Sequence, residues 1–254
     1  MIKIQYFYIK LSCLFELAWI EVKLKYDRSI LGPFWISISM VILILGLSYA
    51  YGSIFDLSAI KSLPWIASGV VTWQFITTTI EESCQKFITP ESLNINLSPI
   101  EFILINVFKN LIIFFHNFAV LVLILIFTET TFNYNFFFIF YGLIILIINS
   151  LCVGVIFGFL CCRYRDFILI VRNLLFIIFL ITPIFWSPEV LSKNRFLLVD
   201  YNIIFHTIQT IRDPLLGNSI SFFTFYFTTF FTIFLSFFSF FIYKKYKRKY
   251  VFWI

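Results

Sequence analysis

The stretch "ISFFTFYFTTFFTIFLSFFSFFIYKKYKRKY", residues 220–250, decides the fold. Residues 220–243 carry no charge, and the five charges that follow are all basic. A bilayer core about 30 Å thick takes roughly 20 apolar residues as a helix, so this run reads as a membrane span and its basic end as an anchor on anionic lipid. "KKYKRKY" could also serve as a nucleic-acid tail, but its place directly after a span favours the anchor. Five further runs of the same kind stand upstream, at roughly 32–55, 63–80, 103–127, 134–160 and 168–187. The whole chain of 254 residues is 61% hydrophobic and 13% charged, with 37 phenylalanines, more apolar surface than one water-soluble core can hide. The runs lack the alternation of barrel strands, so helices are expected: an all-α integral membrane protein with six spans.

Lysine and arginine orient it. Residues 1–31, 81–102, 161–172 and 244–254 hold fourteen of the 19, whereas 56–62, 128–133 and 188–219 hold four, Lys61, Lys193, Arg195 and Arg212; Lys109 lies in the opening turns of the third span. The positive-inside bias places both termini in the cytoplasm. The net charge of +6 then follows from topology and calls for no nucleic acid. No small-residue cleavage site precedes the first uncharged run, so the N-terminus is expected to stay in the mature chain. The five cysteines fall in spans or in the segments placed in the cytoplasm, and no structural disulfide is expected. Cys161-Cys162 has no histidine cluster or further thiol in sequence to make it a metal site.

The chain divides into a cytoplasmic interface helix (1–31), five spans (32–187), an external segment (188–219), the sixth span (220–243) and a basic tail (244–254), all one transmembrane domain, 1–254. Along 1–31, Phe7, Leu11, Leu14, Ala18 and Val22 share a helix face while Lys10, Glu21, Lys23 and Lys25 lie elsewhere, as in a helix lying in the interface plane. Gly32-Pro33 favours a break before the first span. The connection 81–102 is longer than a chain reversal needs, with Thr89-Pro90-Glu91 opening a short helix, and reads either as a docking element or as an inert polar loop. In "NIIFHTIQTIRDPLLG", residues 202–217, Ile204, Ile208, Ile211 and Leu215 recur at helical spacing, which turns His206, Gln209 and Arg212 toward polar surroundings; Pro214 and Gly217 then stop the helix. Short interfacial or re-entrant helices are expected there, a membrane-hugging loop being the plainer alternative.

The thirteen carboxylates all lie outside the spans or at their margins, which disfavours proton- or cation-coupled transport and acid-dependent membrane enzymes. In the third span Asn106, Asn110, Ile113 and Asn117 follow one stripe, with Lys109 and His116 beside it. Such a stripe should face protein or water, as helix packing or as the wall of a conduit. Gly154-x-x-x-Gly158 predicts a close helix contact. No glycine precedes a lysine, so no phosphate-cradling loop for ATP exists on this chain.

Three stretches together resemble the permease subunit of type-2 ABC exporters, in the branch that exports O-antigen and capsular polysaccharide: "KLKYDRSILGPFW" at 23–35, "RYRDFILIVRNLLFIIFLITPIFW" at 163–186, and "NIIFHTIQTIRDPLLG". The last usually has Pro after its Asn and Glu where Gln209 stands, so Ile203 and Gln209 depart from the pattern. The resemblance implies six spans, an N-terminal interface helix, gate helices within 188–219, and a segment docking on a separate ATPase, here Glu81, Glu82, Lys86, Pro90, Glu91, Ser92 and Leu93. It implies a homodimer with two ATPase copies in the bacterial inner membrane, both termini cytoplasmic, moving a lipid-linked glycan past an external gate of Phe205, His206, Gln209, Arg212 and Pro214. No catalytic, cofactor or metal residue is expected on this chain; ATP and Mg belong to the ATPase. The alternatives are export of teichoic acid or a hydrophobic drug by the same kind of machine and, further off, a membrane enzyme acting on lipid-linked sugars through His116 or Arg212.

Overall fold

The computed structural model describes residues 2–25, 27, 32, 34–54, 58–88, 97–130, 133–188 and 199–253 and, of residues 2–7 and Ala59, the backbone alone. Among them are eight α-helices and no strand: α1 (Ile2–Lys25), α2 (Phe34–Ile54), α3 (Ala59–Lys86), α4 (Pro99–Phe127), α5 (Ile139–Arg163), α6 (Phe167–Ile181), α7 (Ile203–Leu215) and α8 (Phe222–Tyr246). Four are long and apolar enough to cross a membrane: α2, α4, α8, and α5 with the 3-10 turn Tyr134–Phe138 that leads into it.

Helix ends follow local chemistry. Pro99 opens α4, where its missing N–H costs nothing, and the Ser98 N–H donates to Glu101 Oε2 at 2.6 Å. The Asn202 side chain caps α7, accepting from the N–H of Ile204 and Phe205 at 3.0 and 3.1 Å. Gly217, at φ +79°, takes the left-handed turn that stops α7 just beyond Pro214. Pro183 ends α6 by holding Thr182 extended, so this helix has 15 residues where the apolar run had predicted 168–187. At 1.5 Å per residue, that is about 22 Å, short of a bilayer core.

α3 fails the apolar test for the opposite reason. Ser62, Ser68, Thr72, Thr79 and Ser83 are buried, because α3 packs against α2, α4, α5, α6 and α7. Ser68, Thr72, Thr78 and Ser83 each donate to the carbonyl one turn back, at 2.6–2.8 Å, so their hydroxyls enter the interior satisfied. The helix therefore runs six residues past the predicted edge at 80 and carries Glu81, Glu82 and Lys86 on its last turns.

Glycines permit the tightest contacts. A Cβ on Gly154 would meet Ile103 and Ser83 at 2.9 Å, and one on Gly158 would meet Phe87 at 2.7 Å. The small-residue pattern is thus the seam between α5 and the α3–α4 pair. On α1, Leu14, Ala18 and Val22 are buried, with Leu14 and Ala18 packed beside Ile105 of α4; the opposite side leaves Tyr8, Ile9, Trp19 and Leu24 exposed.

The bundle has two distinct ends. At one gather α1, the last turn of α3, the start of α4, the end of α5 and the chain's C-terminal turn, joined by Lys86–Glu21, Lys10–Glu101, and Phe87 against both Phe159 and Tyr250. At the other, the Tyr51 hydroxyl accepts from the Ser187 N–H at 2.9 Å, Asn135 Nδ2 donates to the Gly217 carbonyl at 3.2 Å, and α7 lies among α3, α5 and α8.

Candidate functional site

The α7 end is organised around Arg212. Its side chain is 0% exposed, although periodicity had turned it toward polar surroundings. Nη1 donates to the Pro183 carbonyl at 3.0 Å and Nη2 to the Ile184 carbonyl at 2.8 Å. Those carbonyls follow the proline-terminated end of α6 and lack helical partners, so a planar cation meets two free acceptors. The guanidinium lies 3.9 Å from the Trp65 ring centroid, a cation–π contact that keeps its charge in company away from water. Room comes from Gly69, where a Cβ would stand 2.0 Å from Nη2. Burial pulls the Arg212 pKa down to about 9 while Asp213 pulls it back, so the group stays charged at neutral pH. Gln209 Oε1 accepts from Nη1 at 3.4 Å.

His206 is buried too. Its Nε2 meets the Asp200 carbonyl at 2.9 Å, an acceptor only, so Nε2 carries the proton. Nδ1 then accepts from the Thr224 hydroxyl at 2.9 Å, which itself accepts from Ser221 at 2.9 Å. The chain is complete with a neutral imidazole, and burial lowers the His206 pKa. A depressed histidine contributes stability that is present above the unfolded value of about 6.5 and lost as pH falls through the folded one. Half-buried Asp213, pushed up to about 7 by burial, acts in the opposite sense. The histidine's share is therefore the difference between the wild type and His206→Gln. Thermal unfolding in detergent from pH 7.5 to 5 is expected to show wild type losing stability relative to the variant on acidification; parallel curves would contradict the neutral assignment. Phe205 and Pro214 are buried on the same helix, and Asn202 Nδ2 donates to Thr182 Oγ1 at 3.0 Å, a second tie to the end of α6.

The opposite end holds a charge network. Lys109, 8% exposed, meets Glu82 at 2.9 Å and Glu21 at 3.4 Å. Glu21 also meets Lys86 at 2.5 Å, Glu82 meets Lys25 at 3.7 Å, and Asn110 Nδ2 donates to Glu82 at 2.8 Å. Asn106 Nδ2 donates to the Thr79 carbonyl at 3.0 Å and to Ser83 Oγ at 2.9 Å. Here Asn106, Lys109 and Asn110 tie α4 to α3 and α1. Asn117 is buried further along α4, whereas His116 is exposed beside Phe34 and joins neither group. Glu81 lies 4.0 Å from Arg172 of α6. Pro90, Glu91, Ser92 and Leu93 lie outside the described residues. Glu21 and Lys25 were the network members that the candidate site residues lacked; their one signal was a charge beside the apolar face of α1.

The all-helical fold, four helices fit to cross a membrane and apolar side chains such as Phe230, Phe234 and Phe237 turned outward define the class: an α-helical membrane protein. No protein-family model matches the chain, and no curated protein matches it.

Proposed function

We propose that the chain is the transmembrane permease subunit of an ATP-driven, type-2 ABC-like exporter that moves lipid-linked polysaccharide across the bacterial cytoplasmic membrane. In this reading α3 and α6 join the four long apolar helices as spans, the basic end is cytoplasmic, and two copies enclose the path, each bound to a separate ATPase. The observation that carries it is the network of Glu21, Glu82, Lys86 and Lys109. It joins the surface helix α1 to the last turns of the central helix, directly before the segment 89–96. A push on that segment by a nucleotide-driven partner would pass through ion pairs to α1 and α4 and along α3 to Arg212 and α7, which meet the helix at Trp65, about 32 Å from Lys86 at 1.5 Å per residue.

At the far end α7 is packed into the bundle, with His206 tied to the Asp200 carbonyl and Thr224 and Arg212 to the Pro183 and Ile184 carbonyls; on this reading it closes the outer mouth of the path. Deleting the gene is expected to remove long-chain surface glycan and leave its lipid-linked form inside the cell. Unchanged surface glycan with no internal accumulation would reject the cargo, and a stable complex of one permease with one ATPase would reject the path between two copies.

A further inference from the structure

A cleft of about 800 Å³ opens between α5 and α8 at the basic end, away from α7 and from the Glu21–Lys109 network. Its deeper wall is apolar, built by Ile156, Phe159 and Leu160 of α5 and Phe238 and Phe241 of α8, and its outer rim carries Arg163, Lys244 and Lys245. Among the described residues no carboxylate lines it and none of the three cations has an acidic partner. Aromatic rings hold two of them instead: Arg163 Cζ lies 5.2 Å from the Tyr164 ring and 5.3 Å from the Trp253 ring, and Lys245 Nζ lies 5.3 Å from the Tyr246 ring. Phe238 and Phe241 are exposed, so the cleft opens sideways, toward the space a bilayer fills around α8.

We propose that this cleft binds an anionic phospholipid, its phosphate on Arg163, Lys244 and Lys245 and an acyl chain along the phenylalanine wall. Charge and depth both point to that occupant. The cations sit on the last turns of α5 and α8, at the level where headgroups lie, with Tyr164, Tyr246 and Trp253 beside them as interfacial aromatics do. The apolar wall begins a turn or more inward, where a chain would run. Three unspent positive charges favour a lipid with net negative charge over a zwitterionic one, whose own cation offsets its phosphate. Elsewhere at this end Lys10, Lys25, Lys86 and Lys109 are each paired with glutamate, whereas the rim cations share one cleft with an apolar wall. The inference rests on the membrane class alone, so it stands or falls separately from the transport reading.

Trp253 supplies the readout. The purified full chain is placed in phosphatidylcholine vesicles containing a minor fraction of phosphatidylglycerol brominated on its acyl chains, and quenching of Trp253 is taken as the difference from Trp253→Phe. Brominated phosphatidylglycerol is expected to quench Trp253 more than brominated phosphatidylcholine does. R163Q/K244Q/K245Q should weaken that preference on the order of a hundredfold, since each cation near the surface contributes about fivefold. R163K/K244R/K245R, which keeps the charges, should retain it, and so should K247Q/R248Q/K249Q, which neutralises the neighbouring tail. Equal loss in the cleft and tail variants would show a diffuse basic surface and overturn the site, as would the absence of any preference in the wild type. Displacement of the brominated lipid by inorganic phosphate as readily as by unlabelled phosphatidylglycerol would overturn the role of the acyl chain.

Discussion

Replacing Arg212 with leucine is expected to destabilise the protein by about 3 kcal/mol and to release α7 from the end of α6. Leucine fills part of the volume but leaves the Pro183 and Ile184 carbonyls, 3.0 and 2.8 Å from the present donors, without partners in an interior site. Buried acceptors deprived of a charged donor cost about 1–3 kcal/mol each, and loss of the contact with Trp65 adds to that. Lysine keeps the charge but not the planar fork, so Arg212→Lys should lose about half as much. Gly69→Ala tests the same arrangement from the other side, because the new Cβ would stand 2.0 Å from Nη2 and 2.8 Å from the Ile184 oxygen. With Arg212 already replaced, only the second conflict remains, and the alanine should cost less than it does in the wild type. Full additivity in thermal unfolding would contradict the packing described.

The second large effect belongs to the basic end. The double variant Glu21→Gln/Glu82→Gln removes both carboxylates that face Lys109, at 3.4 and 2.9 Å. A buried ion stripped of its partners costs several kcal/mol. Glu21 and Glu82 are 33% and 27% exposed, so solvent screening reduces the expected loss to about 2 kcal/mol. Lys86 loses Glu21 in the same step, and α1 then keeps to the bundle mainly through Leu14 and Ala18 and the Lys10–Glu101 pair. On the transport reading, export should fall further than stability does, because α1 no longer follows the end of α3. Adding Lys109→Met should restore much of the stability without restoring export. If the methionine instead costs the same in both backgrounds, the network is not a coupled unit.

Helix positions were legible because a membrane-facing helix announces itself by a run of uncharged residues, and turn chemistry at Pro214–Gly217 and the small-residue seam at Gly154 and Gly158 read true. The buried face of α1 was legible for the same reason, as Leu14, Ala18 and Val22 recur at helical spacing. The run at 63–80 marked α3 but stopped six residues short of its end, where Glu81, Glu82 and Lys86 look like loop polarity. The interior position of Arg212 was not visible at all. Periodicity describes one helix, whereas the partners of Arg212 are Trp65 near the start of α3 and two carbonyls beyond α6. The shortness of α6 was written in Pro183, but an apolar run on both sides of the proline concealed the break. Likewise "KKYKRKY" read as a uniform anchor, and only the packing of α5 beside α8 separates Lys244 and Lys245, which border a cleft with Arg163, from Lys247, Arg248 and Lys249, which do not.

An exporter of this kind needs the basic end of the bundle in the cytoplasm, and labelling of single cysteines in a cysteine-free background distinguishes the two orientations. Gln85, exposed near the end of α3, and Asn218, exposed just after α7, lie at opposite ends. A membrane-impermeant maleimide applied to intact cells is predicted to label Asn218→Cys at once and Gln85→Cys only after the membrane is opened. Labelling of position 85 from outside, with position 218 protected, would place α7 in the cytoplasm and contradict the exporter reading.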